Sequence, residues 1–174
     1  AKYLPGEDTH FVGLAPGAAY GPAKRWLPER FAAVADRLCA DLGARAILFG
    51  SKDDRETTDS VQKYANSAVV NLAGISSLRE TTYLISRCRV FISNDSGLMH
   101  VAGALNIPTV AIFGSTNPVT TSPPGGKTVL VRKPVECSPC LKKTCPTDFR
   151  CMTSITADDV YEAAHRLLAK DRGT

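Results

Sequence analysis

No stretch of the 174-residue chain approaches the roughly 18 consecutive apolar residues that a membrane-crossing helix needs. The opening Ala1-Lys2-Tyr3-Leu4-Pro5-Gly6 has neither an initiator methionine nor a charged-then-apolar leader, so nothing directs secretion. Residues 1–9 read instead as the remnant of a linker, in a chain cut from a longer one. Two glycine signatures are missing as well. Without G-x-G-x-x-G or G-x-x-x-x-G-K-[ST], dinucleotide redox chemistry and P-loop hydrolysis lose support. There is no internal repeat and no low-complexity tract. The length and 44% apolar content suffice for one domain with a substantial core, and are too little for two nucleotide-fold domains. An excess of 21 basic over 17 acidic residues suits an anionic ligand but is common among unrelated proteins.

What is present is organised around Arg89 to Ser115. Val90-Phe91-Ile92-Ser93 reads as an apolar strand, Asn94-Asp95-Ser96-Gly97 as a turn, and Thr109 to Phe113 as a second strand. Between them Leu98, Val101, Ala102 and Leu105 recur at i, i+3, i+4, i+7, which predicts a helix buried on that face. The whole is one parallel strand-helix-strand unit. Upstream, Phe11–Ala15, Arg45–Phe49 and Val69–Leu72 are strands. Pro28 opens a helix whose stripe is Phe31, Val34, Ala35, Leu38 and Leu42, with Gly43 as its left-handed cap. Val61, Tyr64 and Ala65 mark a less periodic second helix. Ser77 and Glu80 form a capping box for a third, buried through Leu78, Leu84, Ile85 and Cys88. Downstream come a long irregular loop and a sixth strand, Val129-Leu130-Val131. An irregular cysteine-containing segment follows over residues 133–155. A terminal helix spans 156–170, capped by Thr156 with Ile155 stapled to Val160. Residues 1–174 therefore read as a single α/β domain: a Rossmann-like, doubly wound parallel sheet in strand order 3-2-1-4-5-6.

In that order the first and fourth strands are neighbours at the switch point, and the loop Pro16–Trp26 faces the turn Asn94–Gly97. A helix start presents unpaired N–H groups and the positive end of its dipole, so this turn suits a phosphate or an anionic sugar ligand. Lys24 then serves as a mobile charge for a diphosphate and Arg25 as a bidentate fork, unless both are ordinary solvated charges. Asp95, repelled by phosphate, either accepts hydrogen bonds from sugar hydroxyls or caps its own helix. Ser96 and His100 stand one turn apart at the helix opening, where His100 either donates to phosphate or is a satisfied, partly buried ring. A lysine that serves only a ligand can be removed at little cost to stability.

Six cysteines divide into an isolated pair, Cys39 and Cys88, read as core fillers on helices, and a cluster. Cys137, Cys140, Cys145 and Cys151 have C-x2-C-x4-C-x5-C spacing, which fits a zinc knot, reduced thiols or disulfides made after purification. No metal is assigned.

Ala15-Pro16-Gly17-Ala18, Ala23-Lys24-Arg25-Trp26-Leu27-Pro28, Leu48-Phe49-Gly50-Ser51, Asn71-Leu72-Ala73-Gly74 and Asn94 to Ala102 together carry a resemblance. Over nearly its whole length the chain resembles the ADP-heptose:lipopolysaccharide heptosyltransferases. The resemblance implies the C-terminal, donor-binding half of a GT-B glycosyltransferase, inverting and cytoplasmic, with contact at the inner-membrane face left open. It implies Lys24 on the diphosphate or sugar, Ser96 and Gly97 on phosphate, Asp95 on heptose hydroxyls and His100 as a neighbour. Adenosine would lie near Ser51 to Asp53 and Gly74 to Ser76, with Lys52 and Asp53 leaving the ribose holder open. The catalytic base belongs to the other domain, as does the lipopolysaccharide inner-core acceptor, and neither a cofactor nor nucleic acid is implied. Rival readings are a non-catalytic nucleotide-sugar module and a GT-B epimerase domain binding UDP, which a comparison of ADP with UDP affinity separates.

Asp95 lacks the carboxylate partner that a divalent cation beside a diphosphate usually needs. ADP binding is accordingly expected to survive chelation of divalent ions. Titration of ADP with and without chelator checks this, and abolished binding would overturn it.

Overall fold

The computed structural model describes residues 10–171. Its strands are β1 (Phe11–Ala15), β2 (Arg45–Leu48), β3 (Val69–Asn71), β4 (Cys88–Asn94), β5 (Thr109–Ile112) and β6 (Thr128–Val131). They form one sheet in the order β3-β2-β1-β4-β5-β6, every pairing parallel. The expected order is therefore observed. Leu14 of β1 lies in register with Leu48 of β2 on one side and Ile92 of β4 on the other.

Two apolar layers sandwich the sheet because successive strand residues point to opposite faces. Val12, Leu14, Val90 and Ile92 face α1 (Pro28–Leu42), α2 (Arg55–Tyr64) and α7 (Ala157–Asp171). Phe11, Ala15 and Phe91 face α3 (Leu78–Ser86) and α4 (Gly97–Ala104). The end signals act as read: Gly43 closes α1 at φ 57°, and the Ser77–Glu80 capping box opens α3. Thr156 and Asp159 exchange backbone-to-side-chain bonds at the start of α7, with Ile155 and Val160 buried beside them. No described helix is long and apolar enough to cross a membrane.

Several expectations fail in instructive ways. Leu78 is 71% exposed at the first position of α3, and Cys88 begins β4 instead of ending that helix. Of the residues that mark the second helix, Val61 is buried, Tyr64 ends the helix exposed and Ala65 lies just beyond it as the C-cap. In α4 the buried side is Met99, Ala102 and Gly103, while Leu98 and Val101 are half-buried and Leu105 is exposed. An eight-residue helix that is apolar nearly all round leaves periodicity little to choose from, and close packing decides. A Cβ on Gly103 would come within 2.5 Å of the Pro124 carbonyl oxygen, so this face alone can press against the loop. The loop after β5 contains a short helix, α5 (Pro118–Thr121), and the segment 133–155 contains another, α6 (Arg150–Thr153), so neither is wholly irregular. The linker remnant at residues 1–9 lies outside the described residues.

Gly13, in the centre of β1, lets Phe91 and Cys88 close over the sheet: a Cβ there would stand 2.5 Å from Phe91 Cδ2 and 2.9 Å from Cys88 Sγ. Gly13→Ala should therefore cost about 1–3 kcal/mol through overpacking. Gly126→Ala, where a Cβ would meet nothing within 4 Å, is the matched control. Urea unfolding of both variants checks this; a midpoint for Gly13→Ala equal to that of the parent would refute it.

Candidate functional site at the carboxyl ends of β1 and β4

One buried amide fixes the loop that follows β1. Asn94, the last residue of β4, donates through Nδ2 to the Pro16 carbonyl at 2.7 Å and accepts the Trp26 backbone N–H at Oδ1, 3.1 Å away. Trp26 is itself buried, its indole N–H donating to the Ile155 carbonyl at 3.0 Å. Between these anchors Pro22–Lys24 makes a single 3-10 turn, and the Ala23 N–H donates to the Lys143 carbonyl at 2.9 Å. Gly21 permits this approach, since a Cβ would stand 2.5 Å from the Lys143 oxygen. Asn94 was not singled out from the sequence, although its place between an apolar strand and a helix start was a usable signal.

Lys24 and Asp95 do not lie apart awaiting a ligand. Lys24 Nζ sits 2.7 Å from Asp95 Oδ2, with side-chain exposures of 13% and 5%. The same oxygen accepts from Thr116 Oγ1 at 2.7 Å and, more weakly, from Thr121 Oγ1 at 3.5 Å. This overturns the reading of Lys24 as a solvated charge and gives it a structural partner as well as a ligand role to fill. It also overturns the capping reading of Asp95. The N-cap of α4 is Ser96, which makes no side-chain cap bond; its hydroxyl pairs with Ser93 Oγ at 3.0 Å. The first N–H groups of α4 thus stay uncapped by side chains, beside Gly97, where a Cβ would meet nothing within 4 Å. No neighbour among the described residues requires glycine there.

Ser96 and Gly97 border a cleft of about 490 Å³ that also reaches Ser51 and Ser76. Its apolar wall includes exposed Leu78 together with Leu98 and Val101, which are half-buried and pack against the core layer on their other side. Of the other expected residues, Gly74 is not in the cleft wall. It turns the chain at φ 68° against Lys52, and Ser76 takes its place. His100 is exposed and likewise outside the wall, as are Lys24 and Asp95. The carboxylate at the wall is Asp54, not Asp53. Its Oδ2 accepts from Ser51 N–H at 2.9 Å and Ser51 Oγ at 2.7 Å, and it packs so close to Gly17 that a Cβ there would lie 2.2 Å away. Arg25 turns toward this carboxylate at 3.8 Å and donates to Thr57 Oγ1 at 3.4 Å, leaving its buried Nε unpartnered.

All six cysteines are free thiols. Cys39 and Cys88 are buried, as core fillers should be, and burial pushes the Cys39 thiol up to about 11 and Cys88 higher still. Cys137, Cys140, Cys145 and Cys151 share the wall of a separate cavity of about 130 Å³. Among the described residues, no three His, Cys, Asp or Glu side chains stand together as a metal-holding group.

An uncapped helix start and a loop carrying Lys24 and Arg25 thus meet where the strand order of a Rossmann-type sheet reverses. The chain belongs to glycosyltransferase family 9, the heptosyltransferases, whose sequence profile matches residues 2–149. It is similar to lipopolysaccharide heptosyltransferase 2 of Salmonella typhimurium, 36% identical over 169 residues that cover 94% of this chain and 48% of the relative. The Escherichia coli lipopolysaccharide heptosyltransferase 2 is 41% identical over 129 residues, 72% of this chain and 37% of that protein. A solved structure of E. coli ADP-heptose LPS heptosyltransferase II superposes with a TM-score of 0.85 at 33% identity, over 98% of this chain and 50% of that one. The chain spans about half the length of such relatives.

The thiols should differ in reactivity. Hydrogen bonding with Thr147, whose Oγ1 lies 3.5 Å from Sγ, lowers the pKa of the Cys145 thiol. Its thiolate then forms at lower pH than that of an ordinary cysteine, whereas Cys39 and Cys88 stay protonated. Iodoacetamide labelling of native protein near pH 7 should modify Cys145 first and spare Cys39 and Cys88, as read by peptide mass spectrometry. Early labelling of Cys88 would contradict the buried assignment.

Proposed function

We propose that this chain is the C-terminal, donor-binding half of an inverting heptosyltransferase that moves heptose from ADP-heptose to the inner core of lipopolysaccharide. The observation that carries the reading is the uncapped start of α4, which borders a cleft with one apolar wall and follows in sequence directly on Asp95, the partner of Lys24. A diphosphate over Ser96 and Gly97 meets backbone N–H groups and the positive end of the helix dipole, and open space at Gly97 lets a phosphate approach the backbone. Lys24, paired with the residue just before Ser96, can exchange one oxygen of Asp95 for a phosphate oxygen. Leu78, Leu98 and Val101 supply an apolar surface for a flat base, with Ser51, Asp54 and Ser76 as polar partners for the nucleoside. Gly74 acts by shaping this rim, and His100 as an exposed neighbour of the phosphates.

Transfer proceeds by attack of an acceptor hydroxyl on the anomeric carbon as the diphosphate leaves. This chain's part is to stabilise the charge that grows on that leaving group, through Lys24 and the start of α4. We assign no residue here as the base that takes the acceptor proton. That base, and the hold on the acceptor, belong to the other half of the protein, and the 36% identity to a heptosyltransferase twice this length supports that division. The resemblance also supports work on the cytoplasmic side, with the acceptor brought from the inner-membrane face.

Lys24→Ala should weaken ADP binding roughly ten-fold, the low end for one charge-assisted contact because the ammonium must first leave Asp95. It should also lower the melting temperature, because it removes one of the donors to a carboxylate that is 5% exposed. The unaltered chain should bind ADP yet transfer no heptose to a truncated lipopolysaccharide acceptor. Calorimetry, thermal unfolding and a transfer assay check the three outcomes. Equal affinity in the variant would remove Lys24 from the site, and turnover by this chain alone would refute the two-half reading.

A further inference from the structure

Asp95 offers two oxygens, and the protein uses them unequally. Lys24, Thr116 and Thr121 all donate to Oδ2. Oδ1 accepts none of these bonds and is not among the buried unpartnered atoms, so it keeps access to water beside Ser96. A carboxylate placed next to phosphates is repelled by them, and one free to rotate would turn away or follow Lys24. What prevents that is a buried hydroxyl. Thr116 is 6% exposed and β-branched, so its side chain has little rotameric freedom.

Its loop is tied down on both sides. The Gly114 carbonyl accepts from Ser138 Oγ at 2.6 Å, the Ser115 carbonyl accepts from the Leu141 N–H at 2.8 Å, and Asn117 Oδ1 caps α5 through the Val119 N–H at 3.0 Å. Thr121 is a weaker support, since its hydroxyl has a 3.0 Å bond to the Asn117 carbonyl and only a 3.5 Å approach to Asp95.

We propose that Thr116 is a specificity-determining positioning residue: by holding Oδ2 of Asp95 it keeps Oδ1 aimed at the sugar of a nucleotide sugar, so that the site prefers the glycosylated nucleotide to the bare one. The inference rests on the donor-site reading above. When a diphosphate draws Lys24 off Oδ2, the Thr116 bond is the strongest that remains on that oxygen. The carboxylate then keeps its orientation, and Oδ1 accepts a hydroxyl of the glycosyl group. Bare ADP has no such hydroxyl to offer and gains nothing from Asp95.

The test measures ADP and ADP-heptose affinities for the 174-residue chain, Thr116→Val and Thr116→Ser, with melting temperatures as a folding check. Valine keeps the shape and loses the donor; serine keeps the donor. The parent should bind ADP-heptose more tightly than ADP. Thr116→Val should lose roughly ten-fold for ADP-heptose while ADP stays within about two-fold, and Thr116→Ser should restore the preference. An unchanged preference in Thr116→Val, or equal loss for both ligands, overturns the proposal. A parent that binds ADP without any gain for ADP-heptose overturns it while leaving the nucleotide site intact. A parent that binds neither ligand overturns the donor-site reading as well.

Discussion

The Asn94 side chain is the constraint on which the site depends. It is fully buried at the end of β4, where an amide must satisfy both its donor and its acceptor or destabilise the fold. It does so with the backbone of Pro16 and Trp26, the two ends of the loop after β1. The loop is therefore set by the strand that also launches α4, and Lys24 arrives opposite Asp95 because both are referred to the same residue. A weaker tie would leave the cation on a surface loop, where a single ion pair is worth little. Held at 2.7 Å and largely withdrawn from water, the pair is instead a local charge arrangement with a defined geometry.

That geometry gives the site a resting state. Lys24 is neutralised by Asp95 before any anion arrives, and the carboxylate has two hydroxyl donors besides. An incoming diphosphate competes with the carboxylate for the ammonium, so the net gain from Lys24 is smaller than an unpaired lysine would give. In exchange, the resting site avoids an uncompensated charge of either sign in a nearly closed environment.

Much of the architecture was legible in the sequence because its signals are local. Gly43, the Ser77–Glu80 box and the Thr156 cap each act within one turn, and strands alternating with helices point to a doubly wound sheet, whose usual strand order is the one observed. The switch-point turn with Ser96 and Gly97 was legible for the same reason. What could not be read is whatever depends on distance along the chain. Lys24 and Asp95 are 71 positions apart, and no pattern of either neighbourhood announces their contact. Apolar periodicity also cannot tell a core from a cleft: Leu78, Leu98 and Val101 are spaced as core residues, yet all three line the cavity, and only Leu98 and Val101 also pack against the core. Asp54 was passed over for Asp53 because only the 3-10 turn at Lys52–Asp54 decides which of two adjacent carboxylates faces inward.

The bond from Ala23 to the Lys143 carbonyl has a consequence for how such loops can be moved between proteins. The turn that presents Lys24 takes part of its shape from a stretch near the other end of the chain, pressed so close that residue 21 has no room for a side chain. Residues 16–27 are thus not a self-contained module. Transplanted onto another sheet of the same strand order, they would carry the basic residues but not the abutment that aims them. The cysteine-bearing segment, which takes no direct part in the cleft, is the part of the molecule that would have to travel with them.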